Sequence, residues 1–271
     1  MKIKKIVYVI PAYNSVVRLG EARFHNTVVR TRNIVLAQNP ENIVLVVNNS
    51  STQSNSLAVL SAARRPGATA ISVPQIGPAY ARFRGIDHAF QRLGADLAIM
   101  GDDDLHVKPS AIPALSRAIV NGADLAIGVR SCGNLLSHPL WQFGLESALN
   151  FYASYRLDIW PAKLSLFSFG TDFISGGMAF GREGWENFRR YVNEETMKKL
   201  GTACTFFPGV YKRLGLKIDT VRVDGPYEGN YWQDTFNPEQ FRKRVRTIKS
   251  DFHDAKAALE LPLPGKDGLG L

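Results

Sequence analysis

The sequence predicts an α/β fold built on a mostly parallel central sheet, and three observations carry that expectation. Short apolar, β-branched runs recur through the first half of the chain, at 4–10, 42–47, 69–73, 95–100 and 124–129. Segments with apolar residues at helical spacing separate them, and such alternation builds a parallel sheet with helices on both faces. Three of the runs end in polar turns, at 11–14, 48–55 and 102–106. Open sheets of this kind bind ligands outside the carboxyl ends of their strands, so the three turns should converge on one crevice.

Taken in order, KKIVYVI (4–10) is a buried strand that stops at Pro-Ala-Tyr-Asn. A helical segment follows over 15–37, then the strand NIVLVV (42–47), closed by the polar cluster NNSSTQSNS. Leu57, Leu60 and Ala63 mark a helix, and TAISV (69–73) a third strand. In GPAYARFRGIDHAFQRLG, Ala81, Ile86, Ala89, Phe90 and Leu93 recur roughly at helical spacing before Gly94 ends the helix. ADLAIM (95–100) is the fourth strand. A helix near 110–121 and the strand DLAIGV (124–129) complete the alternation. Beyond 131 the pattern changes: 134–170 is rich in Leu, Phe, Tyr and Trp without clean periodicity, and the glycine-rich FISGGMAFG (173–181) follows. TFFPGVYKRLGLKIDTVRV (205–223) reads as a helix leading into a strand. From 238 to 260, Phe241, Val245, Ile248, Phe252, Ala255 and Leu259 form one apolar stripe on a helix whose other faces carry Arg242, Lys243, Arg244, Arg246 and Lys249. That helix is expected to pack on its own domain, and the tail LPLPGKDGLGL to be loose.

Composition narrows the function classes. With 271 residues, 45% of them hydrophobic, the chain can bury a full core. The apolar run at the N-terminus ends at Pro11, too short for a secretory core, and no stretch of about 18 apolar residues offers a membrane span. Two cysteines, Cys132 and Cys204, read as reduced, buried thiols of a cytoplasmic protein. The net charge of +9 points to anionic partners: nucleotide phosphates, an acidic lipid surface touched peripherally, or, least favoured, nucleic acid. Neither G-x-G-x-x-G after the first strand nor G-x-x-x-x-G-K-[ST] is present, which excludes the usual dinucleotide and P-loop signatures.

The chemistry concentrates in AIMGDDDLHVKP (98–109). Asp102, Asp103 and Asp104 are three adjacent like charges that need a cation or good solvation. Hard carboxylate oxygens suit Mg²⁺ or Mn²⁺, which bridge protein carboxylates to substrate phosphates. The spacing of a Ca²⁺ loop is missing, and a solvated acidic turn stays open as the alternative.

On these residues the chain resembles a GT-A glycosyltransferase of family 2. IVYVIPAYNS is similar to that family's first strand and nucleotide loop, and VLVVNNSST to its strand followed by Asp-Asp-Gly-Ser. GPAYARFRGIDHA resembles its G-x-x-x-A-R-N-x-G stretch, and AIMGDDDLHVKPSAI its D-x-D strand end. The resemblance implies a nucleotide-diphosphate sugar donor, a divalent ion neutralising the leaving diphosphate, and a nucleotide-sugar-binding half over 1–130. It implies an acceptor- and sugar-binding half over 131–236 and a C-terminal helix with tail over 237–271. Carried over residue by residue, Asp104 ligates the metal, Asp102 is its partner, on the ribose or on the metal through water, and Asp103 is the least constrained of the three, near the nucleotide. Pro11, Ala12 and Tyr13 border the base together with Asn48, and Arg82 faces the nucleotide side unless it is an ordinary exposed helical arginine. Gly176, Gly177 and Arg182, in ISGGMAFGREGWENF, approach the donor sugar.

Three departures stand out. Asn48 and Asn49 replace acidic residues, so an amide that both donates and accepts stands where a carboxylate only accepts. Phe83 replaces an asparagine. Thr202, Ala203 and Cys204 occupy the place of the Glu-Asp pair that supplies the acceptor base, which leaves Asp172 as the candidate base and Cys204 as a core thiol. The stretch GTACTFFPGVYKRLGLKIDTVRV also resembles retaining glucosyl-3-phosphoglycerate and mannosylglycerate synthases, in which a histidine after the strand binds the metal. Glu228 and Asn230 stand near that position here. Both stereochemical outcomes stay open, and so does the acceptor, for which an anionic or lipid-linked molecule is expected.

Overall fold

The computed structural model describes residues 3–12, 15, 19–49, 53–103, 107–131, 171–172, 177–223 and 238–263. Along the chain come β1 (Ile6–Ala12), α1 (Glu21–Gln38), β2 (Ile43–Asn48), α2 (Gln53–Ala63), β3 (Ala68–Ser72), α3 (Pro78–Gln91), β4 (Leu97–Met100) and α4 (Ala111–Val120). They are followed by β5 (Leu125–Ser131), β6 (Thr171–Asp172), β7 (Met178–Gly181), α5 (Arg182–Arg189), α6 (Glu194–Lys198), α7 (Phe206–Arg213), β8 (Ile218–Arg222) and α8 (Pro238–Glu260).

These strands join one sheet in the order β3-β2-β1-β4-β7-β5-β6, with β8 also paired to β5. β1 runs parallel to β2 and β4, β2 to β3, and β5 to β8. β7 lies antiparallel between β4 and β5. The sequence did not reveal this strand: Met178–Gly181 is four residues long, too short to establish a period. Its insertion ties the two halves expected on either side of residue 130 into a single sheet. The chain winds outward from β1 to β3, then returns to place β4 on the other side of β1. The carboxyl ends of β1 and β4 therefore flank the topological switch point, where a crevice forms.

The central strands β1, β2, β4 and β7 are buried on both faces, which is why the first three read as continuous apolar runs rather than alternating ones. Val7, Val9, Leu45, Val47, Ala98 and Met100 face a layer made by α3, α5, α7 and α8, with Phe83, Phe90, Trp185, Phe188 and Phe207 at its heart. Tyr8, Ile10, Val44, Val46, Leu97 and Ile99 face α1, α2 and α4 through Phe24, Val28, Val59, Ile112 and Leu115. Successive residues pointing to opposite faces is the strand period of two. Phe83 has no crevice role: it is fully buried, 5.5 Å from the Trp185 ring, and its burial contributes about 2 kcal/mol. Gly85, on the sheet-facing side of α3, is needed for close approach, since a Cβ there would sit 2.4 Å from Val9 and 2.7 Å from Val47. That contact fixes the depth at which α3 lies, and with it the position of Arg82 one turn earlier.

α8 corrects the apolar stripe. Its buried positions at the C-terminal end are Asp251, Asp254, Ala255 and Ala258, while Phe252 and Leu259 are half-buried. The helix does pack on its own domain, chiefly against α7. The face turned inward, however, carries two aspartates.

Candidate functional site

The carboxyl edge of the sheet brings the polar turns together. The Asn49 N–H donates to the Ala12 carbonyl at 2.9 Å, and the Gly101 N–H to the Val9 carbonyl at 2.9 Å. The ends of β1, β2 and β4 are thereby stitched into one rim. Pro11 and Ala12 are the last two residues of β1, buried and paired with Val47 and Asn48. The two asparagines differ. Asn48 donates its amide to the hydroxyls of Ser56 (2.9 Å) and Ser72 (3.3 Å) and so ties β2 to α2 and β3. Asn49 is fully buried, and neither its Nδ2 nor its Oδ1 has a hydrogen-bond partner among the described residues. Leaving buried polar groups unmet costs about 1–3 kcal/mol, which marks Asn49 as an amide with unspent hydrogen bonds at the rim.

Arg82 is the centre of the second cluster. It is 8% exposed, so the reading as an exposed helical arginine is overturned. Its Nη2 pairs with Asp102 Oδ1 at 2.6 Å, and its Nη1 donates to the Thr202 carbonyl at 2.5 Å and to Cys204 Sγ at 3.0 Å. Its Nε is buried without a partner among the described residues. Burial opposes the guanidinium charge, but the Cys204 sulfur and the Asp102 carboxylate offset it and hold the pKa above its ordinary value. Burial pushes the Cys204 thiol up to about 12, and the nearby Arg82 pulls it back only in part. Cys204 is thus a protonated thiol near neutrality, and Asp102 is the charge that balances Arg82. A thiol in that state cannot take a proton from an acceptor hydroxyl.

The turn 201–205 that brings Thr202 and Cys204 here is held from both sides. Its carbonyls face α3: Gly201 accepts from the Ala79 N–H (3.2 Å) and Thr202 from Arg82. Its N–H groups face α8, where the fully buried Asp254 carboxylate accepts from Gly201 (2.9 Å), Thr202 (2.8 Å) and Ala203 (2.7 Å). Asp251 accepts from the Thr202 hydroxyl, and its carbonyl accepts from the Thr205 hydroxyl at 2.6 Å. Among the described residues Ala203 alone has a positive φ without being glycine (61°), a conformation that costs a Cβ-bearing residue about 1–2 kcal/mol. Sequence reasoning missed both aspartates. Their only trace is the i, i+3 spacing that puts them on one face with Ala255 and Ala258.

The other expected site residues separate. Asp102 stands on the rim with its side chain 27% exposed. Asp103 points inward, 5% exposed, and accepts from the Ser15 hydroxyl, so the expectation that it is the least constrained aspartate is corrected. Gly177 lies at the crevice edge beside β4 with φ +86°, and a Cβ there would sit 2.9 Å from the Met100 carbonyl oxygen. Asp172 is in β6, its backbone in antiparallel register with Arg130 near the carboxyl end of β5. Arg182 follows Gly181, opposite Leu97, and is therefore at the amino edge of β4, away from the crevice. There it donates to the carbonyls of Phe90 (3.3 Å) and Ala95 and lies over the Phe90 ring, closing the end of α3. Tyr13, Asp104, Gly176, Glu228 and Asn230 lie outside the described residues.

Among the described residues no group of three or more His, Cys, Asp or Glu side chains could hold a metal ion, and no helix is long and apolar enough to cross a membrane. Among the described residues the rim offers a hard divalent cation one carboxylate, Asp102, which is part-exposed and whose pair with Arg82 uses Oδ1; Asp104 follows two residues on in the sequence.

Comparison with known proteins bears on this arrangement. The sequence model of glycosyl transferase family 2 matches residues 8–185, well over half of the chain. The solved structures that resemble it include a mannosyltransferase, PcManGT, from Pyrobaculum calidifontis in complex with GDP-Man and Mn²⁺. It shows 15% identity, with 99% of this chain and 79% of that one covered, at a TM-score of 0.50. S. aureus TarS 1–349 shows 16% identity over 95% of this chain and 70% of that one, at a TM-score of 0.48. At these identities the first likeness speaks for the fold alone. No curated protein matches the chain in sequence.

Proposed function

The chain belongs to glycosyl transferase family 2, and from that premise we propose that it moves a hexose from a nucleotide-diphosphate sugar to an acceptor hydroxyl, with Mn²⁺ or Mg²⁺ at the aspartate rim. The fold is GT-A: a mostly parallel α/β sheet flanked by helices. The observation that carries the proposal is the rim itself. Asp102, charge-balanced by Arg82 of α3, follows β4, and Asn49, a buried amide with no partner among the described residues, follows β2, so the two stand at the carboxyl ends of the strands that flank β1.

In this reading each residue has a stated job. Asn49, whose N–H meets the Ala12 carbonyl, offers the nucleobase one donor and one acceptor, with Pro11 and Tyr13 proposed to border the base, while Asn48 braces the rim from behind. Arg82 keeps Asp102 in place and adds positive charge beneath the diphosphate. Asp102 and Asp104 would hold the divalent ion, which when bound neutralises the charge that grows on the leaving diphosphate. Gly177 lets the chain before β7 lie close against the Met100 carbonyl, at the edge proposed to face the sugar. Asp172 is the proposed base for the acceptor hydroxyl. The acceptor is proposed to be anionic or lipid-linked, in keeping with the net charge of +9.

A specific observation supports a second reading, a family member that binds nucleotide but transfers no sugar. Cys204 stands where the family's acceptor base is expected, and its thiol is pushed up to about 12. One experiment separates the two: purified protein with Mn²⁺ against a panel of nucleotide sugars, with calorimetry for binding and released nucleoside diphosphate for turnover. Binding with even slow hydrolysis supports the transferase. Binding with none supports the second reading, and absence of binding to every donor removes both.

A further inference from the structure

The turn 201–204 gives its first two carbonyls, those of Gly201 and Thr202, to α3 and its first three N–H groups, those of Gly201, Thr202 and Ala203, to Asp254 of α8, so it works as a rigid spacer between the two helices. From these contacts we propose that Asp254, assisted by Asp251, is a positioning residue of the donor site: it fixes the turn whose Thr202 carbonyl sets the Arg82 guanidinium, which in turn holds Asp102. The proposal rests on the reading of Asp102 as a donor-site carboxylate.

The links are few and all are made. A carboxylate that accepts three successive backbone N–H groups at 2.7–2.9 Å makes charge-assisted bonds, the stronger kind, and here they are shielded from water. One of them ends on Ala203, whose φ of 61° the free turn would not favour, so the carboxylate also selects that backbone state. With Ala203 so turned, the Thr202 carbonyl and the Cys204 sulfur converge on the same guanidinium nitrogen, Arg82 Nη1. The other nitrogen, Nη2, is left aimed at Asp102. A planar fork gripped at one tine has its second tine placed, which a lysine at this position would not reproduce. Contact between Gly201 and α8 leaves the turn no slack: a Cβ on Gly201 would sit 1.5 Å from Ser250 Oγ and 2.9 Å from Ser250 Cβ.

The test uses the full chain and four variants: Asp254→Asn, Arg82→Lys, the double variant, and Ala258→Gly. Ala258 is buried on the same helix, outside the carboxylate contacts with the turn, so its glycine variant loosens α8 and serves as the control for lost stability. Binding of UDP and of GDP in the presence of Mn²⁺ is measured by calorimetry, with melting temperatures alongside. Asp254→Asn should weaken the diphosphate that binds by about fivefold and Arg82→Lys by about tenfold, and the double variant should be no weaker than Arg82→Lys alone, because both act through one guanidinium. Effects that add, or an Ala258→Gly variant of equal or lower melting temperature that binds as weakly as Asp254→Asn, would overturn the proposal. If the unmodified protein binds neither diphosphate, the donor-site reading falls instead. Alkylation of Cys204 by iodoacetamide, followed by mass spectrometry without any nucleotide, then decides the coupling. Asp254→Asn should speed it about tenfold over Ala258→Gly, and equal rates would refute the clamp.

Discussion

Two regions meet at Arg82, and they are built on opposite plans. The rim formed by β1, β2 and β4 is backbone-made: parallel ladders set Ala12, Asn49 and Gly101 side by side, and side chains are added to a frame that exists without them. The turn 201–205 has no ladder. Side chains of α3 and α8 hold it, through a guanidinium on one side and two carboxylates on the other. The rim should therefore tolerate substitution of its polar residues with little change in fold, whereas the turn should fail when one of its side-chain anchors is removed.

The largest expected effect strikes the junction. Arg82→Met keeps much of the buried stem but strands Asp102, the Thr202 carbonyl and Cys204 together. Removing one partner of a buried charge pair costs about 3 kcal/mol, somewhat less where the other carboxylate can reach water, as the part-exposed Asp102 can. Urea unfolding should register that loss, and Mn²⁺-dependent nucleoside diphosphate binding should disappear with it. A variant that unfolds like the unmodified protein would mean that the turn stands without α3, and the contrast between the two regions would go.

The rim offers the opposite sign. Asn49→Leu removes an amide with no partner and substitutes an apolar group of similar size, so the protein should gain about 1 kcal/mol in urea while losing nucleoside diphosphate affinity. Stability rising as binding falls is expected of a polar group kept for a ligand. A loss of stability would show instead that the Asn49 amide is already satisfied in the folded protein, and would withdraw it from the base pocket.

The same contrast explains what the sequence could reveal. Val7, Val9, Leu45 and Val47 announce their strands because runs buried on both faces are apolar throughout, and the aspartates after Met100 announce a strand end. The place of Asp102, just past the end of β4, was legible for that reason. Asp103 was misjudged because adjacent carboxylates look alike in sequence, whereas strand geometry sends one to the rim and the next to Ser15. Arg182 was misplaced because it lies beyond a four-residue antiparallel strand that carries the chain away from the crevice. Asp251 and Asp254 were invisible. Periodicity counts apolar residues, and a carboxylate buried among backbone N–H groups of a distant turn looks, in sequence, like one more solvated charge on an amphipathic helix.

The smallest effect is the sharpest test of what replaced the missing acid. Cys204 sits in the turn, not the rim, and its thiol is pushed from an ordinary 9.0 up to about 12 by burial. Folding thus favours the protonated form. That contribution is complete below pH 9 and is lost as pH rises toward 12, at about 1.4 kcal/mol per pH unit while only the unfolded thiol ionises. Arg82, held above its ordinary range, stays charged across this window and adds no slope. Between pH 8 and pH 10 the unmodified protein should therefore lose about 1 kcal/mol more than Cys204→Ala, read as the difference in their urea midpoints at the two pH values. Equal slopes would mean that the thiol titrates in the folded protein as it does in the unfolded chain, and a slope of opposite sign, stability rising relative to Cys204→Ala, would mean that Arg82 already holds a thiolate there. The turn would then carry a proton acceptor after all, and the contrast between a chemical rim and a purely supporting turn would have to be given up.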